Sequence, residues 1–209
     1  MLFGITGKAR SGKDTFAELF ANALFKESGQ RFILMAYAHE LKLRVQKDFD
    51  LSFEQLWGDD KEVVDKRYRK YDTKPYSACL GSSSLPEGYW TAREILQAYG
   101  QFFRTIDYDF WVKSLFNVIE DKEYKNVIIT DVRHPNEATP IKERGGYIIK
   151  VSRATETTIH GVNHISEVAM DDYPADAYIA NDGGLDTLKK LAEDLVKNFK
   201  DQKNIFGGN

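Results

Sequence analysis

Two glycines separated by four residues, the second followed at once by lysine, stand near the start of this chain at Gly7, Gly12 and Lys13. Their surroundings limit the fold more than any other feature. Before the first glycine runs an apolar stretch, Leu2-Phe3-Gly4-Ile5-Thr6, of the kind that forms a buried strand. After the lysine, Phe16, Leu19, Phe20, Ala23 and Leu24 recur at helical spacing. A strand, a glycine-rich turn and a helix therefore follow in the order that phosphate binding needs. Backbone N–H groups converge on an anion at the positive end of a helix, and a side chain between them would block it. In this reading Gly7, Arg10, Ser11, Gly12, Lys13, Asp14 and Thr15 hold a nucleotide, with Lys13 neutralising its β and γ phosphates.

The strict form of the pattern has Ser or Thr after the lysine, to reach magnesium. Here Asp14 stands in that place and Thr15 one residue later, as the hydroxyl does in the Gly-Lys-Gly-Thr loops of adenylate-kinase-like enzymes, which this segment resembles. Thr15, Asp14, or a water held by one of them, is expected to reach the metal.

At 209 residues the chain has room for one α/β domain with a modest insertion, and an apolar content of 42% is ordinary for a globular protein. A net charge of −3 and a pI near 5.9 give no global field that would draw in a nucleic-acid polymer. Any anion site must be built from local cations. The single cysteine, Cys79, excludes an internal disulfide and a multi-cysteine metal cage, and no apolar run is long enough for a signal peptide or a membrane span. A cytoplasmic protein is the expectation.

Further along, Arg31 to Ala38 reads as a second, largely buried strand, and His39 to Phe49 as a helix with Leu41, Val45 and Phe49 on one face and Lys42 on its polar side. Asp50 to Trp90, charged and then rich in Gly, Pro and Ser, reads as an insertion with mobile loops that covers a site. Thr91-Ala92-Arg93-Glu94 has the form of a capping box ahead of Ile95, Leu96, Tyr99, Phe102 and Phe103. Arg93, Gln97, Gly100 and Arg104 share the opposite helix face, with the glycine leaving room against the backbone. The two arginines would lie roughly 16 Å apart, too far to grip one phosphate oxygen.

Asp107 or Asp109 can cap another helix, whose stripe is Trp111, Leu115, Val118 and Ile119. Lys125 to Asp131 is a near-continuous apolar strand ending in an acid. In α/β sheets ligands bind at the carboxyl ends of strands, where such an aspartate can hold magnesium beside the glycine loop. Arg133 points into the same crevice. His134 to Glu137 starts a helix that Gly145-Gly146 stops, with Pro140 disturbing its middle. Tyr147 to Ser152 is a fourth strand, followed by Arg153 and a polar stretch to Asn163 that suits a lid closing over phosphates. His160 and His164 lack the further ligands that zinc needs. Ala177 to Ala180 is a short fifth strand, and Leu188, Leu191, Ala192, Leu195, Val196 and Phe199 face the core from a last helix, before a frayed tail from Asp201.

Assembled, these pieces resemble the deoxynucleoside monophosphate kinases of large bacteriophages, a branch of the P-loop nucleoside monophosphate kinases. The likeness rests on Gly7 to Thr15, Ala92 to Gly100, Asp109 to Lys113, Asp131 to Glu137, His164 to Glu167 and Ile179 to Gly183. Gln101 departs from it, standing where the family continues with Thr. The resemblance implies a three-layer P-loop kinase fold with a five-stranded, mostly parallel sheet in one domain, residues 39–105 forming an acceptor-binding insertion and 153–166 a lid. It implies transfer of the ATP γ-phosphoryl group to a deoxynucleoside 5′-monophosphate with Mg2+ as cofactor. Lys13, Asp131 and Arg153 are then the catalytic residues, Thr15, Asp14 and Asp131 reach the metal, and Asn181 lies near the adenine. Lys42, Arg93, Gln97, Arg104 and Arg133 are the acceptor contacts. Neither a nucleic-acid polymer nor a membrane is an expected partner, and dimerisation stays open. Alternatives are another small-molecule kinase on the same scaffold, such as a dephospho-coenzyme A or phosphomevalonate kinase-like enzyme, or a nucleotide-binding regulatory module.

Overall fold

The computed structural model describes residues 1–70, 88–153 and 169–203. Within them the chain divides into two compact units, one made of Met1–Ala36 and Val118–Asn209, the other of Tyr37–Asn117.

The first unit is built on strands β1 (Leu2–Thr6), β2 (Ile33–Met35), β5 (Val127–Val132), β6 (Tyr147–Ser152) and β7 (Ala177–Ala180), which form one sheet in the order β2-β5-β1-β6-β7. Every pairing in it is parallel. Parallel neighbours need long crossover connections, and helices packed on both faces leave the central strands dry. Phe3 and Ile5 of β1 are fully buried, and they join Phe16, Phe20 and Leu24 of α1 (Lys13–Ser28) and Leu188, Ala192, Val196 and Phe199 of the last helix, α7 (Leu185–Lys203), in one core. On the other face Gly4 lies against Ile141 of α6 (Pro135–Glu143), as the alternation of side chains along β1 requires.

The expected second strand shrinks to three residues. Only Ile33–Met35 pairs, at the sheet edge and solely with β5. Ile33 and Leu34 are exposed rather than buried, and Tyr37 and Ala38 already belong to the following helix. The expected fraying at Asp201 is also corrected, since α7 continues to Lys203.

The second unit holds α2 (Tyr37–Phe49), α3 (Phe53–Leu56), a 3-10 turn at Asp60–Glu62, strands β3 (Val64–Arg69) and β4 (Tyr89–Thr91), α4 (Ala92–Ile106) and most of α5 (Phe110–Asp121). Its core joins Val45, Leu51, Leu56, Ala92 and Ile95. The charged stretch read as loops thus contains an antiparallel pair, β3 with β4. Tyr68 of β3 and Trp90 of β4 pack against that core, and polar side chains fix β3 on α3. Asp65, 8% exposed, accepts from the Arg67 guanidinium at 2.7 Å and from Gln55 Nε2 at 3.0 Å, and these bonds hold its carboxyl well below the usual carboxylate range.

The capping box at the start of α4 forms as expected: Thr91 Oγ1 accepts from Glu94 N–H, and the Glu94 carboxylate accepts from Thr91 N–H at 2.9 Å. The room expected at Gly100 is taken. The Leu41 side chain packs against it, and Trp111 Nε1 donates to its carbonyl at 3.0 Å in a buried bond. Phe102, expected in the apolar stripe, is 44% exposed. Tyr99, partly buried and donating its hydroxyl to Asp48 at 2.6 Å, has its phenol pushed up to about 12 by burial first and by that bond second.

Candidate active site

The carboxyl end of β1 feeds directly into the glycine turn. Ser11 N–H donates to the Lys8 carbonyl, Arg10 and Gly12 take left-handed backbone conformations with φ of 64° and 86°, and Gly12 opens α1. Gly7 is required for a different reason: a Cβ there would sit 2.3 Å from the Val151 carbonyl oxygen of β6. Lys13 is the first residue of α1 and is 8% exposed, with its ammonium 3.8 Å from the Asp14 carboxylate. A lysine is rarely buried without a partner, and this one is held at the positive helix end where an anion would gain most. Arg10, Asp14 and Thr15 are exposed.

β5 is the immediate neighbour of β1, and Thr6 pairs with Val132 through a register shift beyond Gly4. Asp131, half-buried, is therefore one residue before the end of the strand beside the loop. The strand outruns the expected boundary by that one residue. Arg133 follows, its backbone N–H donating to Glu137 Oε2 at 2.7 Å and the next N–H, of His134, to the same oxygen at 3.2 Å. Glu137 is 3% exposed, so a buried carboxylate fixes the turn that carries Arg133.

A cavity of about 180 Å³ opens at these strand ends, lined among others by Thr6, Gly7, Lys8, Arg133, Lys150 and Asp171. Lys8 lies 3.7 Å from Asp171, and Lys150 Nζ donates to the Asp171 carbonyl at 2.7 Å and the Met170 carbonyl at 3.0 Å. Lys8 is one of the local cations that the loop offers an anion, whereas the sequence does not announce Lys150 or Glu137: Lys150 sits inside an apolar strand, where only its pairing with Thr6 brings it to the crevice.

The side chain of Asn181 is buried and donates Nδ2 to the Ser11 carbonyl at 2.8 Å, so it faces the backbone of the glycine loop. Arg153 Nε donates to the Asn181 carbonyl at 3.2 Å. Residues 154–166 of the expected lid, with His160 and His164, lie outside the described residues, as does Cys79. In the second unit Arg93 pairs with Glu62, Lys42 sits 5.6 Å above the Trp57 ring, Gln97 is exposed and Arg104 half-buried.

A parallel sheet with a glycine loop at the end of its central strand and a carboxylate beside it is suited to holding a nucleotide's phosphates. A family model for deoxynucleotide monophosphate kinase matches residues 61–191. The chain belongs to the deoxynucleotide monophosphate kinase family. A protein of Acanthamoeba polyphaga mimivirus that carries a deoxynucleotide monophosphate kinase name is 30% identical over 175 residues, 81% of this chain and 82% of that one. The deoxynucleotide monophosphate kinase of Escherichia phage RB69 is 28% identical over 136 residues, 62% of this chain and 54% of its own length. Among solved structures, dephospho-CoA kinase from Campylobacter jejuni aligns over 96% of this chain and 97% of its own, with 15% identity and a TM-score of 0.47. Membership of the deoxynucleotide monophosphate kinase family makes this chain a nucleotide kinase.

Proposed function

We propose that the chain transfers the γ-phosphoryl group of ATP to a deoxynucleoside 5′-monophosphate, giving the diphosphate and ADP. The observation that carries this reading is the buried ammonium of Lys13 at the N-terminus of α1, next to a glycine turn that continues the central strand, with Asp131 near the end of the adjacent strand. Phosphoryl transfer asks a protein for alignment and charge neutralisation, not for a nucleophile of its own. An acceptor phosphate oxygen bonds to the γ-phosphorus as the bond to the β-phosphate bridging oxygen breaks, and the electron pair leaves on ADP. Lys13 and the loop amides from Gly7 to Thr15 hold the donor.

Arg133 is the acceptor-phosphate contact proposed in the first unit, oriented by Glu137, and Arg153 stabilises transferred charge. Lys42, Arg93, Gln97 and Arg104 are the acceptor contacts proposed in the second, and for Arg93 a bound phosphate must compete with Glu62. Magnesium suits this donor set. Among the described residues no cluster of three His, Cys, Asp or Glu could cage a metal, and Mg2+ is ordinarily held by one or two protein oxygens with water and substrate phosphates completing the shell. Asp131, Asp14 and Thr15 are the oxygens on offer, and the ion would neutralise the β and γ oxygens.

The deciding experiment is ADP release measured with ATP, Mg2+ and each common dNMP and NMP. ADP formation that depends on a dNMP, and falls about a hundred-fold or more in Lys13→Ala, supports the reading. ADP release indifferent to every nucleotide acceptor overturns it.

A further inference from the structure

We infer that Asn181 is a positioning residue that sets the Ser11–Gly12 peptide of the glycine loop, and with it the affinity for the donor nucleotide. The inference rests on the reading of Gly7–Thr15 as the donor-phosphate loop. Asn181 directly follows β7, the sheet's edge strand, far from the loop in sequence. Its amide nevertheless reaches the loop: Nδ2 donates to the Ser11 carbonyl at 2.8 Å in a buried bond, and a Cβ on Gly12 would meet that same nitrogen at 2.3 Å. Asn181 thus occupies the space that a side chain at Gly12 would need. It accounts for a glycine there independently of the left-handed φ.

In a planar trans peptide the carbonyl and the following N–H point in opposite directions. A bond that pins the Ser11 carbonyl toward Asn181 therefore pins the Gly12 N–H away from it. A loop that binds anions through its amides depends on such peptide orientations, and a left-handed glycine can otherwise flip at little cost. Asn181 is itself anchored. Its N–H donates to the Ser152 carbonyl at 2.7 Å, and its carbonyl accepts from Arg153 Nε at 3.2 Å. One residue therefore ties the start of α1, the end of β6 and the arginine proposed to meet the transferred charge.

Two variants test this. Asn181→Ala keeps the backbone bonds to Ser152 and Arg153 and removes only the amide. Asn181→Asp is isosteric but turns an oxygen toward the Ser11 carbonyl, which repels when ionised and bonds again when protonated. Burial raises that carboxyl's pKa, so protonation falls within an accessible range. Steady-state kinetics below the melting temperature should show the KM for ATP rising roughly ten-fold in Asn181→Ala, the size expected for one buried hydrogen bond, with the KM for the dNMP within about two-fold of the parent value. In Asn181→Asp the KM for ATP, relative to the parent enzyme, should fall as pH is lowered from about 8 to about 6. A fold brace alone would lower the melting temperature without this split or this pH dependence.

Should Asn181→Ala fail to fold, the isosteric variant carries the test. Lys13→Ala separates the two ways of failing. Unchanged ATP affinity in Lys13→Ala overturns the loop reading and this inference with it. Lost affinity there, with parental KM for ATP in the Asn181 variants at every pH, overturns the inference alone.

Discussion

At Gly7 one methyl group is enough to disturb the loop, because the nearest atom to an added Cβ is a backbone oxygen of the neighbouring strand that cannot swing aside. Gly7→Ala should cost about 1–3 kcal/mol in urea unfolding, the usual range for overpacking, and should weaken ATP binding as the loop shifts. Asp65 offers a residue-level test in the second unit. Its folded-state carboxyl ionises at lower pH than in the unfolded chain, because of the Arg67 and Gln55 bonds. The stability it contributes is therefore complete above the unfolded value of about 4 and is lost progressively as pH falls below it. Acid titration of unfolding should show this loss in the parent and a flatter profile in Asp65→Asn. At this scale the loop was legible in the sequence, since Gly7, Gly12 and Lys13 act within one turn. The bond from Asn181 to Ser11 was not, because the two residues are remote along the chain and an asparagine after a short strand reads equally well as a turn residue.

Whole elements were legible where they carry their own signals. α4 starts where Thr91 and Glu94 form their reciprocal cap. Thr91→Ala should destabilise the protein by about 1 kcal/mol, measured by urea unfolding. Trp111→Phe should cost more, about 1–3 kcal/mol, because it removes the buried hydrogen bond to the Gly100 carbonyl and part of a buried ring. Elements that depend on a partner were misread. β2 looked like an interior strand because the seven residues after Arg31 carry no charge and are mostly apolar, yet only three of them find β5, and Tyr37 is buried from a helix instead. β3 carries Asp65, Lys66, Arg67 and Arg69, and no pattern of alternating apolar residues announces it. Its stability comes from the Asp65 network and from Tyr68, whose ring meets Phe49 edge-on at 5.4 Å.

For the whole molecule, the sheet order decides where ligand binding is felt. The glycine loop joins β1, flanked on both sides by parallel strands, to α1, which shares its core with α7. A nucleotide that binds only the folded loop should therefore raise the melting temperature with concentration, by the equivalent of about 2.7 kcal/mol at a hundred times its Kd, a shift of about 5–11 °C for a chain of this size. Differential scanning fluorimetry with ATP and Mg2+ should show it, EDTA should reduce it and abolish turnover, and Lys13→Ala should not show it.

The path of the chain also sets a timetable. Phe3 must wait for Ile128 on one side and Tyr147 on the other before it is covered, and the whole unit from Tyr37 to Asn117 is made in between. On the ribosome, the strand at the heart of the sheet thus emerges well before either of the strands that cover it. Its apolar residues and those of α1 stay open to chaperones and to aggregation until the partner strands arrive, and loop-closure entropy makes that step slow.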